Sequence, residues 1–343
     1  PVLSNVLIEG IADKISLTAT DLEVGIKTTF DAEIKEPGKI TVSAKKFYEI
    51  VKELPENKII VNSKENSWIE IKCGKSQFNL IGLSAEEFPH FPIPEKKGCL
   101  EIPSFLCKEM IEKTLYSIST DESKYNLNGI YLNINKEIKK LRMVATDGHR
   151  LSMIDKDISE SLTEYLHRSV ILTRKGLLEL NKIAEDGDDI INIGYMDNNA
   201  VVLKNNVVII MRLVDGEFPD YKRVIPKECK YAATIESDQI FHSLRRMIIL
   251  SNETSRGVKL VFENDNLEIS SSNPELGEAR ESISIEYDGP QLTIGFNAKY
   301  LLDILQSQEQ KKILMLLNDQ MSPCIIKPYN DDGFTSVVMP MKL

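Results

Sequence analysis

The stretch Leu141-Arg-Met-Val-Ala-Thr-Asp147 decides the fold, because two other versions of it occur along the chain. They read Ile15-Ser-Leu-Thr-Ala-Thr-Asp21 and, more weakly, Leu267-Glu-Ile-Ser-Ser-Ser-Asn273. The aspartate of the first version and that of the second lie 126 residues apart, and the asparagine of the third follows after a further 126. Equal spacing of this kind indicates three homologous domains.

A second pattern repeats in the other half of each domain. It reads Val42-Ser-Ala-Lys-Lys-Phe-Tyr-Glu-Ile50, Ile171-Leu-Thr-Arg-Lys-Gly-Leu-Leu-Glu-Leu180 and Gly295-Phe-Asn-Ala-Lys-Tyr-Leu-Leu-Asp-Ile304. Each version predicts a short strand followed by a helix whose apolar residues recur at helical spacing. The sequence therefore predicts an α+β protein in which every domain contains two strand–helix–three-strand units, with antiparallel sheet on one side and helices on the other.

The second domain shows the predicted order most clearly. Its elements are a strand near 100–102, a helix over 103–119, strands over 129–134, 141–147 and 150–155, a strand over 169–172, a helix over 174–183, and three strands ending near 214. The alternating stretch 201–212, broken by Asn205-Asn206, predicts a hairpin. The domains are predicted at 1–95, 96–228 and 229–343. Only four residues precede Asn5, whereas 28 residues run from the start of the strand near residue 100 to its counterpart Asn128, and about 22 precede Arg256 in domain three. Roughly 22–28 residues are therefore expected to be missing before residue 1.

Composition excludes several classes of protein. The 343 residues are 42% hydrophobic and 27% charged, which is typical of a soluble globular protein, and no apolar run reaches the length of a membrane helix. The formal net charge of −10 argues at first against a basic nucleic-acid binder. The five cysteines are scattered and form no metal-ligand pattern, which favours reduced thiols in the cytoplasm.

Catalytic and metal sites are not predicted. Asp147 and His149 sit two apart, which is compatible with acid–base chemistry, but no nucleophile signature accompanies them and the equivalents Asp21 and Asn273 have no neighbouring histidine. A turn at Asp147-Gly148 is the favoured interpretation. The acidic run 185–189 lacks the spacing of a calcium loop, and neither phosphate-loop, dinucleotide nor zinc-protease motifs occur. We therefore expect neither a cofactor nor a metal.

Motifs spread over the whole chain resemble the bacterial DNA polymerase III beta subunit, or sliding clamp, family. They are Ala145-Thr-Asp-Gly-His-Arg-Leu151, Leu213-Val-Asp-Gly-Glu-Phe-Pro-Asp-Tyr-Lys-Arg-Val224, Leu250-Ser-Asn-Glu253 with Arg256-Gly-Val258, and Val338-Met-Pro-Met-Lys-Leu343. The resemblance implies a DNA-clamp fold, two subunits joined head to tail in a ring around duplex DNA, and no enzymatic activity. It also implies, as partners, the replicative polymerase alpha subunit, an ATP-using clamp loader, and other polymerases and repair proteins that carry a clamp-binding linear motif.

The resemblance and the helix positions together nominate cations that contact DNA phosphates. Lysine and arginine on such helices bind phosphate without sequence preference. The helix candidates are Lys45, Lys46, Arg174, Lys175, Arg245, Arg246 and Lys299, together with Lys108, Lys113 and Lys182. The resemblance also implies DNA contacts at Lys124 and Tyr125, which match a family loop that touches DNA at the edge of the ring. A solvated helix face is the alternative for any single lysine. Asp121 stands where the family carries glutamine, and Lys46, Lys175 and Lys299 form a repeated column.

The resemblance also implies a partner-peptide groove between domains two and three. Its predicted wall is Leu127, Thr146, Gly148, His149, Arg150, Leu151, Pro219, Arg223, Val224, Val337, Val338, Met339, Pro340 and Met341. Apolar walls and adaptable methionines suit a ligand of this kind, although residues 337–341 could instead be an ordinary closing strand. Pro323 departs from the family serine.

The implied junction between subunits uses Lys46, Phe78, Leu80, Ile249 and Leu250, and the last two could equally be core residues.

The five helical segments carry a net charge of +3, leaving −13 on the rest of the chain. An acidic exterior with a mildly basic lining would hold DNA loosely. A peptide-binding scaffold that does not encircle DNA, or a hydrolase built on Asp147 and His149, are the alternative functions.

Overall fold

The computed structural model describes residues 2–92, 98–135, 139–157, 168–185 and 187–342. The predicted end of domain one at residue 95, and Asp186 of the acidic run, lie outside these ranges. The described residues form 23 strands and five helices, with a few short 3₁₀ helices. The helices are α1 (Ala44–Glu53), α2 (Ser104–Leu115), α3 (Arg174–Ile183), α4 (Ser237–Met247) and α5 (Ala298–Gln306).

The strands follow the predicted repeat, with three strands first and then five successive sets of strand, helix and three strands. They are β1 (Asn5–Ile11), β2 (Lys14–Thr20), β3 (Val24–Asp31), β4 (Gly38–Ser43), β5 (Ile59–Ser63), β6 (Trp68–Cys73), β7 (Ser76–Leu83), β8 (Leu100–Pro103), β9 (Gly129–Asn135), β10 (Lys140–Thr146), β11 (Arg150–Asp157), β12 (Val170–Thr173), β13 (Ile190–Met196), β14 (Asn199–Lys204), β15 (Val207–Arg212), β16 (Tyr231–Glu236), β17 (Gly257–Glu263), β18 (Asn266–Asn273), β19 (Gly277–Ser284), β20 (Leu292–Asn297), β21 (Lys312–Leu317), β22 (Cys324–Pro328) and β23 (Phe334–Val338). The predicted α+β architecture of strand–helix–three-strand units is confirmed.

Helix α2 is shorter than predicted, since it ends at Leu115 rather than near residue 119. The Thr114 hydroxyl donates to the carbonyl of Met110 at 2.7 Å, and the amides of Ser117 and Ile118 bond three residues back instead of four. Tighter turns of this kind close a helix. The predicted hairpin after β14 is confirmed, because Lys204 faces Val207 across a two-residue turn.

The turns that follow β2, β10 and β18, at the ends of the three versions of the first repeated pattern, are built alike. The Asp21 carboxylate accepts from the amides of Glu23 and Val24 at 3.1 and 2.8 Å. The Asp147 carboxylate accepts in the same way from the amides of residues 149 and 150, at 2.8 and 3.0 Å. In the third version the Asn273 amide oxygen accepts from the Glu275 amide at 3.0 Å. Aspartate or asparagine recurs at this position because its side chain accepts the backbone hydrogen bonds that close the turn.

The fold divides into two compact bodies. Body one comprises Pro1–Phe105 and Lys175–Leu213. Its strands form one antiparallel sheet in the order β5-β6-β7-β4-β1-β2-β3-β15-β14-β13-β8. Val6, Ile8, Val42, Ile69 and Ile71, which lie on β1, β4 and β6, form a buried cluster in the part of the sheet nearest β5. These residues alternate along their strands, as a half-buried sheet requires.

A polar network covers part of the same sheet. The Glu70 side chain is only 8% exposed and accepts from the ammonium groups of Lys64 and Lys72 at 2.7 and 2.8 Å. The amides of Asn62 and Gln77 donate to it as well, at 3.3 and 2.9 Å. The hydrogen bond from Lys64, followed by that from Lys72, lowers the pKa of Glu70 to about 2.

Body two comprises Leu106–Arg174 and Val214–Leu343. It holds an antiparallel sheet in the order β12-β9-β10-β11-β23-β22-β21-β16 and a second in the order β19-β18-β17-β20. Helices α4 and α5 pack on a large core that includes Phe262, Phe296 and Val338. No helix in the described ranges is both long and apolar enough to cross a membrane.

Within each body, one strand pairing joins the repeat units of two neighbouring domains. In body one β15 pairs with β3, and in body two β23 pairs with β11. Each time, the last strand of the second unit in one domain pairs with the last strand of the first unit in the preceding domain. The two corresponding strands left over are β7 and β19. Strand β19 is an edge of its sheet, and β7 pairs with β4 only at residues 82 and 83.

Candidate functional site

A groove in body two runs across the seam between β11 and β23. Leu151 lies directly opposite Thr146 on β10 and opposite Val337 on β23. Directly opposed residues of antiparallel strands point to the same side of the sheet. The three side chains therefore form one row along the groove floor. The next wall is the short helix Tyr221–Val224, which packs with Leu151 and Val337 in one apolar cluster.

The groove is a cavity of about 260 Å³. Its lining includes ten of the fourteen residues that the sequence nominated, namely Leu127, Thr146, Gly148, His149, Arg150, Leu151, Pro219, Val224, Val337 and Met339. Asp220 and Tyr221 also line it and were missed. Arg223, Val338, Pro340 and Met341 do not belong to this lining. Arg223 is 84% exposed and pairs with Asp220 at 2.8 Å.

Two of the nominated residues have side chains that lie on the other face of the sheet. Arg150 is opposite Val338, one residue out of step with Leu151 and Val337. Because side chains alternate between faces along a strand, Val338 points into the core beneath α4 and α5, where it is fully buried. Arg150 points the same way. Arg150 lines the groove, but its guanidinium lies on the opposite face of the sheet.

The Arg150 guanidinium is held by several groups on the helix-facing side. It pairs with Asp147 at 3.1 Å and with Asp303 on α5 at 2.7 Å, and it donates to the carbonyl of Tyr116. Its carbon lies 5.4 and 4.5 Å from the ring centres of Tyr116 and Tyr300. Such a caged arginine fixes the turn that carries the groove residues 146–151.

The same turn explains why Asp147 and His149 are not paired for acid–base chemistry. The Asp147 carboxylate accepts hydrogen bonds from two backbone amides and pairs with the Arg150 guanidinium. The His149 ring instead stacks near Tyr300, with centres 6.5 Å apart. Gly148 has a φ of +93°, a backbone conformation that residues other than glycine rarely adopt. Within the described ranges, no three His, Cys, Asp or Glu side chains gather as metal ligands.

A buried ion pair supports the back of the groove. Arg142 donates from Nε and Nη2 to both oxygens of Asp155 at 2.6 Å, and from Nη1 to the Tyr221 hydroxyl at 3.2 Å. Burial alone would lower the pKa of Arg142, but the hydrogen bonds with Asp155 and Tyr221 raise it above its ordinary value. The arginine therefore remains charged inside the protein.

A second, more polar cavity of about 570 Å³ lies on the helix-facing side of the same turn. His149 and Arg150 line both cavities. Three of the nominated DNA-contact residues, Lys124, Arg174 and Lys299, line the second one. The structure thus brings part of the nominated cation set together beside the groove.

Most of the nominated cations lie near an acidic neighbour. In the repeated column, Lys46 pairs with Glu49 at 2.7 Å, Lys175 pairs with Asp21, and Lys299 pairs with Asp303 at 3.3 Å. All three lysines are exposed. Since surface ion pairs are weak, these ammonium groups stay accessible to a phosphate.

The other nominated residues differ in their surroundings. Arg246 forms a two-point pair with Glu281, and that hydrogen bond raises the pKa of Arg246. Arg245 lies 5.8 Å from the ring centre of Phe241. Lys45 and Tyr125 are exposed. Lys113 is buried and pairs with Glu109 at 2.6 Å, which leaves it no surface for DNA.

The residues nominated for subunit contact form exposed apolar surface. Phe78 is 38% exposed on β7, and Leu80 is half-buried. Ile249 is 70% exposed in the turn after α4, next to the half-buried Leu250. Covering these side chains with a second subunit would remove apolar surface from water, which is favourable.

Comparison with known proteins agrees with this architecture over the whole chain. Residues 1–92, 101–220 and 222–342 match the N-terminal, central and C-terminal domains of the DNA polymerase III beta subunit. The chain belongs to the DNA polymerase III beta subunit family. It is 35% identical to the beta sliding clamp of Escherichia coli strain K12 over 344 residues, which cover 100% of this chain and 93% of that protein.

Solved structures of the family superpose closely. The crystal structure of a DNA polymerase sliding clamp from Pseudomonas aeruginosa, determined with a ligand, gives a TM-score of 0.93 at 36% identity and covers 100% of this chain and 93% of that one. A DNA polymerase III subunit beta from Bartonella birtlesii, bound to griselimycin, gives 0.95 at 33% identity, with 100% and 92% covered. The chain is therefore a non-catalytic processivity clamp of DNA replication, whose partners include DNA and polymerase.

Proposed function

We propose that two copies of this chain close head to tail into a ring around duplex DNA, and that the groove in body two captures the linear motifs of its partners. The pairing of the repeated strands carries this proposal. Two junctions inside the chain use the same pair of repeat strands, β15 with β3 and β23 with β11. Strand β7 and strand β19 are the unused third pair.

A second copy supplies the missing partner at both ends. If β7 of one copy pairs with β19 of the next, the same junction recurs at every domain boundary, and two three-domain chains close on themselves. An unpaired strand edge is a template for such pairing. The exposed Phe78 on β7, and Ile249 beside β19, would then be covered. This proposal keeps the predicted domain boundaries near residues 95 and 228.

The electrostatic contacts between the ring and DNA are weak in this proposal. Lys46, Lys175 and Lys299 are exposed, but each shares its charge with a neighbouring carboxylate. Phosphate contacts of this kind carry no sequence information and loosen as salt rises. With a net charge of −10, the rest of the surface repels DNA. The DNA is retained because the ring encloses it, and the ring remains free to slide along it.

The groove supplies the second half of the function. Its floor is apolar, and its rim carries His149 and the half-buried, flexible side chain of Met339. A floor of this kind buries two or three apolar side chains of a short peptide. We propose that the replicative polymerase alpha subunit, the clamp loader, and other polymerases and repair proteins compete for it. We place this activity in the cytoplasm, where bacterial DNA is replicated.

Negative-stain electron microscopy of the purified chain tests the ring directly. Class averages of a closed ring of two copies, with a hole wide enough for duplex DNA, are expected. Particles that show no closed ring at concentrations where sedimentation shows dimers would contradict the arrangement. A protein that binds partner peptides but never forms a ring would instead fit the scaffold alternative.

A further inference from the structure

Tyr221 links the groove to a charged pair buried behind it. Its ring packs beside Leu151 and Val337 at the groove floor, and 8% of the residue is exposed. Its hydroxyl accepts from Arg142 Nη1 at 3.2 Å. The residue therefore touches the groove with one end and an ion pair with the other.

The ion pair is anchored in the strands that form the groove. Arg142 on β10 lies directly opposite Asp155 on β11, four residues along each strand from the groove row of Thr146 and Leu151. Both partners are only 9% exposed, and both carboxylate oxygens are engaged at 2.6 Å. An even number of residues separates the two rows, so they share one face of the sheet.

The segment 217–224, which forms the groove wall beside the floor, is held to the sheet by aromatic contacts and by a hydrogen bond from the Asn126 side-chain amide to the Glu217 carbonyl at 3.0 Å. The Phe218 ring stacks on Tyr131 with centres 5.0 Å apart, and Tyr221 tilts against Tyr131 at 6.1 Å. These aromatic contacts hold the rings against the sheet. A directional bond is needed as well to fix where Tyr221 stands along it, and the Arg142 bond supplies that.

We propose that Arg142 and Asp155 are positioning residues of the groove, which hold Tyr221, and with it the wall from Pro219 to Val224, in the form that binds peptide. This inference rests on the proposed peptide-binding function of the groove. Arginine suits the task because its planar fork bonds both oxygens of Asp155 and still has a donor for the Tyr221 hydroxyl. A lysine would keep the charge but offers no such geometry.

Two substitutions in the full chain test the inference. Tyr221→Phe removes only the hydroxyl, and Arg142→Lys keeps the charge but loses the fork. We expect peptide affinity to fall about 3- to 10-fold in the first and about tenfold or more in the second. The double variant should bind no worse than Arg142→Lys, because both changes remove the same bond.

Fluorescence anisotropy with a labelled synthetic pentapeptide, containing two leucines and a terminal phenylalanine, measures these affinities below the unfolding temperature of every variant. Tyr287→Phe is the matched control, since that buried tyrosine in the same body donates to the Pro290 carbonyl at 2.8 Å and does not line the groove. Its thermal midpoint is expected to fall while its peptide affinity stays that of the wild type.

The outcomes separate the inference from the function beneath it. Wild-type affinity in both Tyr221→Phe and Arg142→Lys, with midpoints lowered as in the control, would overturn the positioning role and leave the groove function standing. Failure of the wild-type chain itself to bind the pentapeptide would refute the proposed groove function, and the inference with it.

Discussion

Ile249 is the residue at which the proposed dimer is most easily broken. It is 70% exposed in the single chain, and a closed ring covers it twice, once at each junction between copies. Complete burial of an isoleucine stabilises by about 1.5–3 kcal/mol, so covering an Ile249 that is 70% exposed contributes about 1–2 kcal/mol per junction. The two junctions together come to about 2–4 kcal/mol, or about 30- to 1,000-fold in the dissociation constant.

Ile249→Asp should weaken the dimer by at least this factor, because a carboxylate also resists burial. Sedimentation equilibrium of wild type and variant measures the change. Met321→Asp is the matched control, since Met321 is 63% exposed and the substitution adds the same charge away from the proposed junction. Thermal midpoints should be nearly unchanged in both variants. A dimer constant for Ile249→Asp within threefold of wild type, or an equal loss in Met321→Asp, would refute the reasoning.

Three further outcomes are expected. Met339→Asp, on the groove rim, should lower affinity for the leucine- and phenylalanine-containing pentapeptide at least tenfold in anisotropy titrations, and an unchanged affinity would count against the groove. Because hydrogen bonds from Lys64 and Lys72 lower the pKa of Glu70 to about 2 from an ordinary 4.5, its ionised form stabilises the fold above pH 4.5 and loses that effect as the pH falls towards 2. The difference in thermal midpoint between wild type and Glu70→Gln should accordingly shrink over that range, and a constant difference would exclude this role. Lys175→Ala should reduce by about one the slope of log affinity for duplex DNA against log salt, whereas an identical slope would remove this lysine from the DNA contacts.

The repeated elements could be predicted from the sequence because their causes are local. Asp21, Asp147 and Asn273 each close a turn with their own side chain, so spacing alone revealed the three copies. The hairpin at Asn205-Asn206 has the same kind of local cause, since asparagine tolerates the positive φ of 50° found at Asn205. Each of these features requires only a few neighbouring residues.

The groove was less accessible to sequence reasoning because its faces depend on pairing between distant strands. Val338 falls on the core side only because Arg150, almost two hundred residues away, is its partner across β11 and β23. Tyr221 was missed as a groove residue although its motif was noticed, since its burial depends on how its segment folds back onto the sheet. Lys113 is hidden by Glu109, one helical turn away, and helical spacing alone does not distinguish a buried pair from a solvated one.

The central claim, that the chain retains DNA by enclosing it, is tested most directly by retention on DNA of different topology. The clamp, loaded onto nicked circular plasmid by a loader from a relative, is passed through a gel-filtration column before and after one restriction cut. Elution with the circular plasmid, and loss from the linearised plasmid, is the predicted result, because a ring slides off free ends. Equal retention or equal release on the two forms would contradict the account.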